Sequence, residues 1–491
     1  MSYLPLVLPP GVFGNGTELQ AAGRWQAGNL VRWANGAMFP VGGWLPFTSG
    51  LTGPARGAIA WVDNSGDRHL AVSTPTRLYE INEAGTLDDI TPSGLTGGST
   101  DSGAQAGFGS QLYGAETYGT PRSATSSITA ATTWSLDTWG EHLVGCSTAD
   151  GKLYEWPLAG DAAVISGAPT GCAGLAVTAE RFLFALGAGG NKRQVAWSDQ
   201  EDNTAWTPSA TNQAGDKELA TVGAILTAKR VRGQTLILTS VDAHVAEYQG
   251  PPYVYGFRSV GSGCGLIGAN ACAVINGDVA IWMGDAGSFY VYDGGVVRAV
   301  QSDVADLLRR NLNADQKAKV FAVTNSDFDE VTWFYPSVAG TECDSYVSYS
   351  TTEGHWMTGT LDRCAGVDKG VWPYPLYVSP AGGVFEHELG FDYDGAAVFA
   401  ESGPVQISNG DQVMMVRQLI PDELALGDVR ASFRARFYPT DPESSFGPYT
   451  LANPTDVRFS ARQVRLRIEG ARASSWRVGA MRLDVQPTSL R

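Results

Sequence analysis

The sequence predicts an all-β protein: a six- or seven-bladed β-propeller carrying one inserted helix, then a small C-terminal antiparallel β-domain. Three observations predict it. The 491 residues contain 60 glycines and 14 tryptophans but only 34 lysines plus arginines, a composition of many short strands joined by tight turns. A hairpin pattern recurs through the middle of the chain. The region beyond residue 411 alternates apolar and polar residues with a period of two, the mark of half-buried strands.

In order along the chain, residues 1–50 read as an extended segment that joins the fold. Its start, "MSYLPLVLPPGVFGNG", has no basic region and is broken by prolines, so it does not read as a signal peptide. No run of eighteen apolar residues occurs anywhere, and no membrane span is expected.

Residues 51–395 hold the repeat. "HLAVSTPTRLYEI" (69–81) and "HLVGCSTADGKLYEW" (142–156) are its clearest copies. The aromatic of the second strand marks each copy: Tyr79, Tyr154, Trp197, Tyr248, Tyr290, Tyr346 and Phe385. Most markers are spaced by roughly the 40–50 residues of a four-stranded blade. The first gap is longer and contains a Gly/Ser/Thr-rich insertion near 92–134. A single blade cannot bury both faces of its sheet, whereas radial stacking buries them and leaves few free edges. A pair of β-sandwiches is the alternative architecture. Near the end of the repeat, "SDVADLLRRNLNADQKAKV" (302–320) predicts a helix with Val304, Leu307, Leu308 and Leu312 on one face and Ser302 as N-cap.

Residues 396–491 form the arginine-rich β-domain. In "VRASFRARFYP", Val429, Ala431, Phe433, Ala435 and Phe437 share one side, and Arg430, Arg434 and Arg436 the other. In "VRFSARQVRLRIEG" the apolar phase slips by one residue, which predicts a β-bulge. Arg458, Arg465 and Arg467 lie here. These two arginine rows are the best candidates for inter-subunit or partner contacts, through bidentate pairing with carboxylates.

The net charge is −16. Residues 411–491 carry 12 arginines, no lysine and nine acids, so the acidity lies in the first 410 residues. Such a chain does not grip nucleic acid through phosphates, but like charge lets nucleic acid slide past. The stretch "WSDQEDNTAW" (197–206) sets Asp199, Glu201 and Asp202 between two tryptophans. Three acids on one loop without a partner carboxylate are a weak general acid/base site. They also break the calcium-loop pattern, with Thr204 and Ala210 at the positions of its glycine and final glutamate. They read as loop caps, or as acids facing a lumen or an interface. The five histidines occur singly and the six cysteines form no CxxC pair, so no metal, cofactor or catalytic residue is assigned.

Four segments resemble a known family. "GRWQAGNLVRWANGAMFPVGGW" (23–44), "VAWSDQEDNTAWTPSATNQAGDKEL" (195–219), "SGPVQISNGDQVMMVRQLIPDE" (402–423) and "GPYTLANPTDVRFSARQVRLRIEGARASSWRVGAMRLDV" (447–485) look like segments of bacteriophage tail nozzle, tail hub or packaged-DNA stabilisation proteins. The resemblance covers about a third of the chain directly. It implies a propeller-and-platform subunit of a homohexameric ring below the portal and its adaptor. That subunit is a non-enzymatic structural protein of the virion, assembled in the host cytoplasm and in contact with other tail proteins. It retains packaged DNA and gives the conduit for ejection, through whose lumen DNA passes without specific binding. A receptor- or glycan-binding propeller, or a glycan hydrolase of the tail, is the alternative.

Overall fold

The structure is a computed structural model that describes residues 2–104, 128–406 and 410–488. Its organising feature is a ring of seven four-stranded antiparallel sheets. Their inner strands are Gly57–Val62, Trp134–Trp139, Gly174–Val177, Ile225–Val231, Cys272–Ile275, Phe321–Asn325 and Ala365–Val367. Each packs beside the next, and the last returns to the first, so the sheets are the blades of a closed propeller. Each of the seven aromatic markers lies on the third strand of its blade.

Closure is made by the N-terminus. Blade seven takes three strands from residues 365–387 and its fourth, Trp44–Ser49, from the start of the chain. This shares one sheet between sequence-distant segments and leaves no open edge at the seam.

Tryptophans join neighbouring blades. The indole N–H of Trp134 donates to the Thr74 carbonyl, that of Trp282 to Cys264 and that of Trp333 to Ala271. Phe289 of blade five packs on Trp333 and Trp356 of blade six, with ring centroids 4.8 and 4.3 Å away. Each indole buries a large apolar body while its one polar atom finds a backbone carbonyl.

The remaining strands form a two-sheet platform. One sheet has the order Ser2–Leu6, Met481–Pro487, Met414–Ile420, Thr455–Ala461. The other contains Trp25–Asn29, Phe399–Ser402, Gln463–Gly470, Val429–Arg436 and Ser444–Thr450, with Val405–Gln406 on Gln463–Gly470. Phe433 and Phe446 of the second sheet pack on Phe459 of the first at 5.1 and 4.9 Å. The strand Trp25–Asn29 also flanks the outer strand of blade six, where Thr360 N–H donates to Asn29 Oδ1.

Three local expectations change. The predicted bulge is a corner. Thr455–Ala461 and Gln463–Gly470 belong to different sheets, and Arg462 turns the chain between them. Phe437 lies just past its strand and is exposed. The predicted helix is cut short at Ala305–Asn311, with Val304 rather than Ser302 as N-cap. Leu312 leaves it in an extended conformation, and Asn313 accepts from Asp315 N–H to start a separate 3-10 turn, Ala314–Lys319. Most of the Gly/Ser/Thr-rich insertion, residues 105–127, lies outside the described residues.

If blade seven closes in this register, Leu45→Cys with Glu386→Cys, which are paired positions, will form a disulfide on mild oxidation. The bridge spans most of the chain and should stabilise the fold by about 2–4 kcal/mol, read as a rise in unfolding temperature that reducing agent reverses. Failure to cross-link refutes the register.

Candidate functional site

The loop after the third strand of blade three holds the acids between the tryptophans. Asp199 Oδ1 accepts from Gln200 N–H at 2.9 Å and Gln213 N–H at 2.8 Å. Asp202 Oδ1 accepts from the N–H and hydroxyl of Thr204, and those bonds hold its carboxyl below the usual range. Glu201 pairs with Arg181 at 2.9 Å, both well exposed. Asn203 donates to Glu155 of blade two, whose carboxylate also meets His142. Trp197 and Trp206 donate to the Gln213 and Asn203 carbonyls. The loop is thus a clasp between blades two and three, on the outer side of the ring rather than along its axis, and its acids are committed to local donors.

The arginine rows divide. On the second platform sheet, Glu401 is nearly sealed from solvent and lies 2.6 Å from Arg465, 3.4 Å from Arg434 and 3.7 Å from Arg467. Arg436 is buried and reaches Glu18 at 2.5 Å and Gln463 at 2.8 Å. Glu443 lies within 4 Å of Arg434, Arg436 and Arg465, and Glu469 is 2.9 Å from Arg467. These four arginines are spent within the chain. Arg430 and Arg458 are exposed and have no ion partner among the described residues. Arg458 lies on the first platform sheet, near two more exposed arginines that sequence reasoning did not single out. Arg417 sits opposite it in the register shift between Val416↔Phe459 and Gln418↔Asp456, and Arg482 is on the next strand.

A buried ionic cluster also went unforeseen. Arg32 belongs to the hairpin Val31–Ala34 and Ala37–Pro40, which links platform and propeller. Its side chain is 4% exposed and meets Glu388 at 2.7 Å and Glu330 at 3.1 Å. Burial opposes its charge, but the two carboxylates outweigh burial and raise its pKa. Burial pushes Glu330 up to about 7, with Arg32 pulling it down and Glu388 pushing it further up. Glu388 also accepts from Gly42 N–H and the Asn325 amide. Beside it, His387 stacks between Trp44 and Tyr377 and its Nε2 accepts from Arg363. Burial, then the Arg363 charge, depresses its pKa. The only early hint of the cluster is an arginine inside the apolar run "NLVRWANGAMF".

Among the described residues, no group of three His, Cys, Asp or Glu side chains is placed to hold a metal. All six cysteines are free and buried. Burial raises the pKa of all six thiols, which works against the nucleophilic thiolate. No described helix is long and apolar enough to cross a membrane.

No family model matches the chain, and no curated protein does. Solved structures resemble it at low identity. Virginiamycin B lyase from Staphylococcus aureus aligns at 7% identity and TM-score 0.43, over 68% of this chain and 94% of that one. The computationally designed Ika8 protein gives 12% and 0.40, over 70% and 99%. YCF48 bound to D1 peptide gives 9% and 0.38, over 71% and 97%. One of these is an enzyme and one a peptide complex. Likeness at this level says nothing of what this chain does, and the propeller rests on its own closed ring of blades.

Two outcomes follow from the buried cluster. Arg32→Leu leaves two carboxylates without their cation and should cost about 3–5 kcal/mol in chemical denaturation; a loss within experimental error contradicts the arrangement. Glu330 has a folded pKa above its unfolded value, so its contribution is complete below about pH 4.5 and is lost as pH rises through about 7. Glu330→Gln should therefore gain stability relative to wild type between pH 5 and pH 8. An unchanged difference across that window refutes the shift.

Proposed function

We propose that the chain is a non-enzymatic structural subunit of a bacteriophage tail, assembled as a ring that retains the packaged genome and surrounds its exit path. The four family-like segments support this reading, and their described residues lie in both the platform and the propeller. The observation that carries it is the state of the platform's arginines. Arg434, Arg436, Arg465 and Arg467 of the second sheet are neutralised internally, while Arg417 and Arg458 oppose each other on the first with no acidic partner among the described residues. Like charges on neighbouring strands are unfavourable in an isolated subunit. The acidic surface of a neighbouring copy relieves them, because residues 1–410 carry nearly all the excess acid.

On this reading the ring is a homohexamer, its partners are the portal adaptor and other tail proteins, and DNA passes through the common lumen without specific contacts. Asp199, Glu201 and Asp202 are exposed or half-exposed on the outer side of the propeller and add to the acidic surface. Their engagement with local backbone and side-chain donors works against a glycan-hydrolase reading. Contact with a host receptor would involve loops at the propeller rim.

Native mass spectrometry of the purified chain should give a closed oligomer, and labelling should locate it in the tail of intact particles. Arg417→Glu with Arg458→Glu should weaken assembly at least tenfold while leaving the circular dichroism of the subunit intact. A monomer absent from virions, or release of sugars from host surface glycan, overturns the proposal.

A further inference from the structure

The seven inner strands surround an axial channel of two unlike halves. Towards the ends of these strands it is lined by Ala60, Val274, Val323 and Val367, with Thr324, Asp368 and Lys369 at the same end. Where the strands begin, it narrows to a chamber of about 100 Å³ whose wall includes Arg56, Thr227, Lys229 and Asn270. We propose that this chamber is a binding site for a small oxyanion, a carboxylate or a phosphate. Nothing in this inference depends on the tail reading.

Charge balance carries the argument. Three cations converge at this end of the channel: Arg56, Lys229 and Lys319. Two carboxylates meet them. Glu342 is shared between Arg56 at 2.6 Å and Lys319 at 2.8 Å, and Asp101 lies 2.5 Å from Lys319. Lys229 is half-buried and has no carboxylate within ion-pair range among the described residues. The other charged pair on the inner strands, Asp137 with Arg230 at 3.2 Å, is internally balanced. Among the described residues one positive charge therefore remains in a confined, partly dehydrated space, where an unmatched ion is costly.

The hydrogen-bond inventory points the same way. Arg56 is 3% exposed. Its terminal nitrogens donate to Glu342, to Ala55 O and to Thr100 O, but its Nε–H is buried without an acceptor among the described residues. Asn270 is held by its own bond to Arg56 O. The Thr227 hydroxyl lines the chamber with no partner among the described residues. An oxyanion supplies what is missing: a negative charge for Lys229 and acceptor lone pairs for Arg56 Nε and Thr227. The Arg56 end of the chamber is braced from outside. Residues 100–102 cross from Arg56 to the start of blade six, where Ser102 exchanges two hydrogen bonds with Gln316.

The test is calorimetric titration of the full-length protein with inorganic phosphate and, separately, with acetate. Saturable binding of either at one site per chain is expected, and the arm that binds identifies the class. Lys229→Met should weaken binding at least tenfold, and Lys229→Arg should retain it. Without ligand, Lys229→Met should unfold at a temperature no lower than wild type, because it removes a charge that has no partner. Absence of saturable binding in both arms overturns the proposal, as does a Lys229→Met protein that binds like wild type.

Discussion

The junction between propeller and platform depends on a single guanidinium. Arg32 enters from the N-terminal hairpin and is removed from water among Glu330 of blade six and Glu388 of blade seven. Its face also lies over Phe328, 3.6 Å from the ring centroid. A buried charge of this kind contributes little net stability compared with a well-packed apolar side chain, yet losing one partner is severe. Its effect is to penalise every docking of the hairpin that leaves the charge unmatched. The hairpin in turn exchanges two backbone hydrogen bonds between Met38 and Val478 of the platform, so the orientation chosen by Arg32 passes to the second module.

The same N-terminal segment does three jobs in fifty residues. Ser2–Leu6 edges one platform sheet, Trp25–Asn29 edges the other, and Trp44–Ser49 completes blade seven. The ring therefore cannot close until its first strand meets its last blade, and the platform cannot complete either sheet before residues beyond 400 are present. Both modules share one long-range topological constraint. The core reflects this: a single apolar cluster runs from Leu6 and Trp25 through Phe334 and Tyr377 to Phe433 and Val485.

Much of this was legible in the sequence, and the exceptions have physical causes. The blades were visible because an aromatic on each third strand must fill the same gap against a neighbour, which repeats residue type as well as spacing. His69 and His142 sit at matching places for the same reason, each bonded to a glutamate on the adjacent strand at 2.8 and 2.7 Å. The count stayed open between six and seven because a blade built from both ends of the chain leaves no complete repeat to read. The bulge was misjudged because a corner between two sheets and a bulge within one strand shift the apolar phase identically. The helix was overextended because Leu312 has the right spacing, and periodicity does not register that the Asn313 side chain restarts the backbone. The Arg32 cluster was hidden by distance: its carboxylates lie 298 and 356 residues along the chain.

The arginine-rich strands show how one evident pattern can hold side chains in two different states. Alternation correctly placed Arg430, Arg434 and Arg436 on one face, and a row of cations on a polar face invites a partner. That face, however, already holds Glu401, which is almost sealed by the strands around it. A carboxylate in that position must be matched, and Arg465, Arg434 and Arg467 match it while Glu18 and Glu443 absorb the remaining charge. Exposed surface pairs contribute little, whereas such a shielded network resists screening and contributes to rigidity. Arg434, Arg436, Arg465 and Arg467 act as cement for the second sheet. Any electrostatic recognition by the platform then falls to Arg430 and to the opposite sheet, where Arg417, Arg458 and Arg482 have no carboxylate of their own among the described residues, and there the interaction should be as sensitive to salt as its exposure implies.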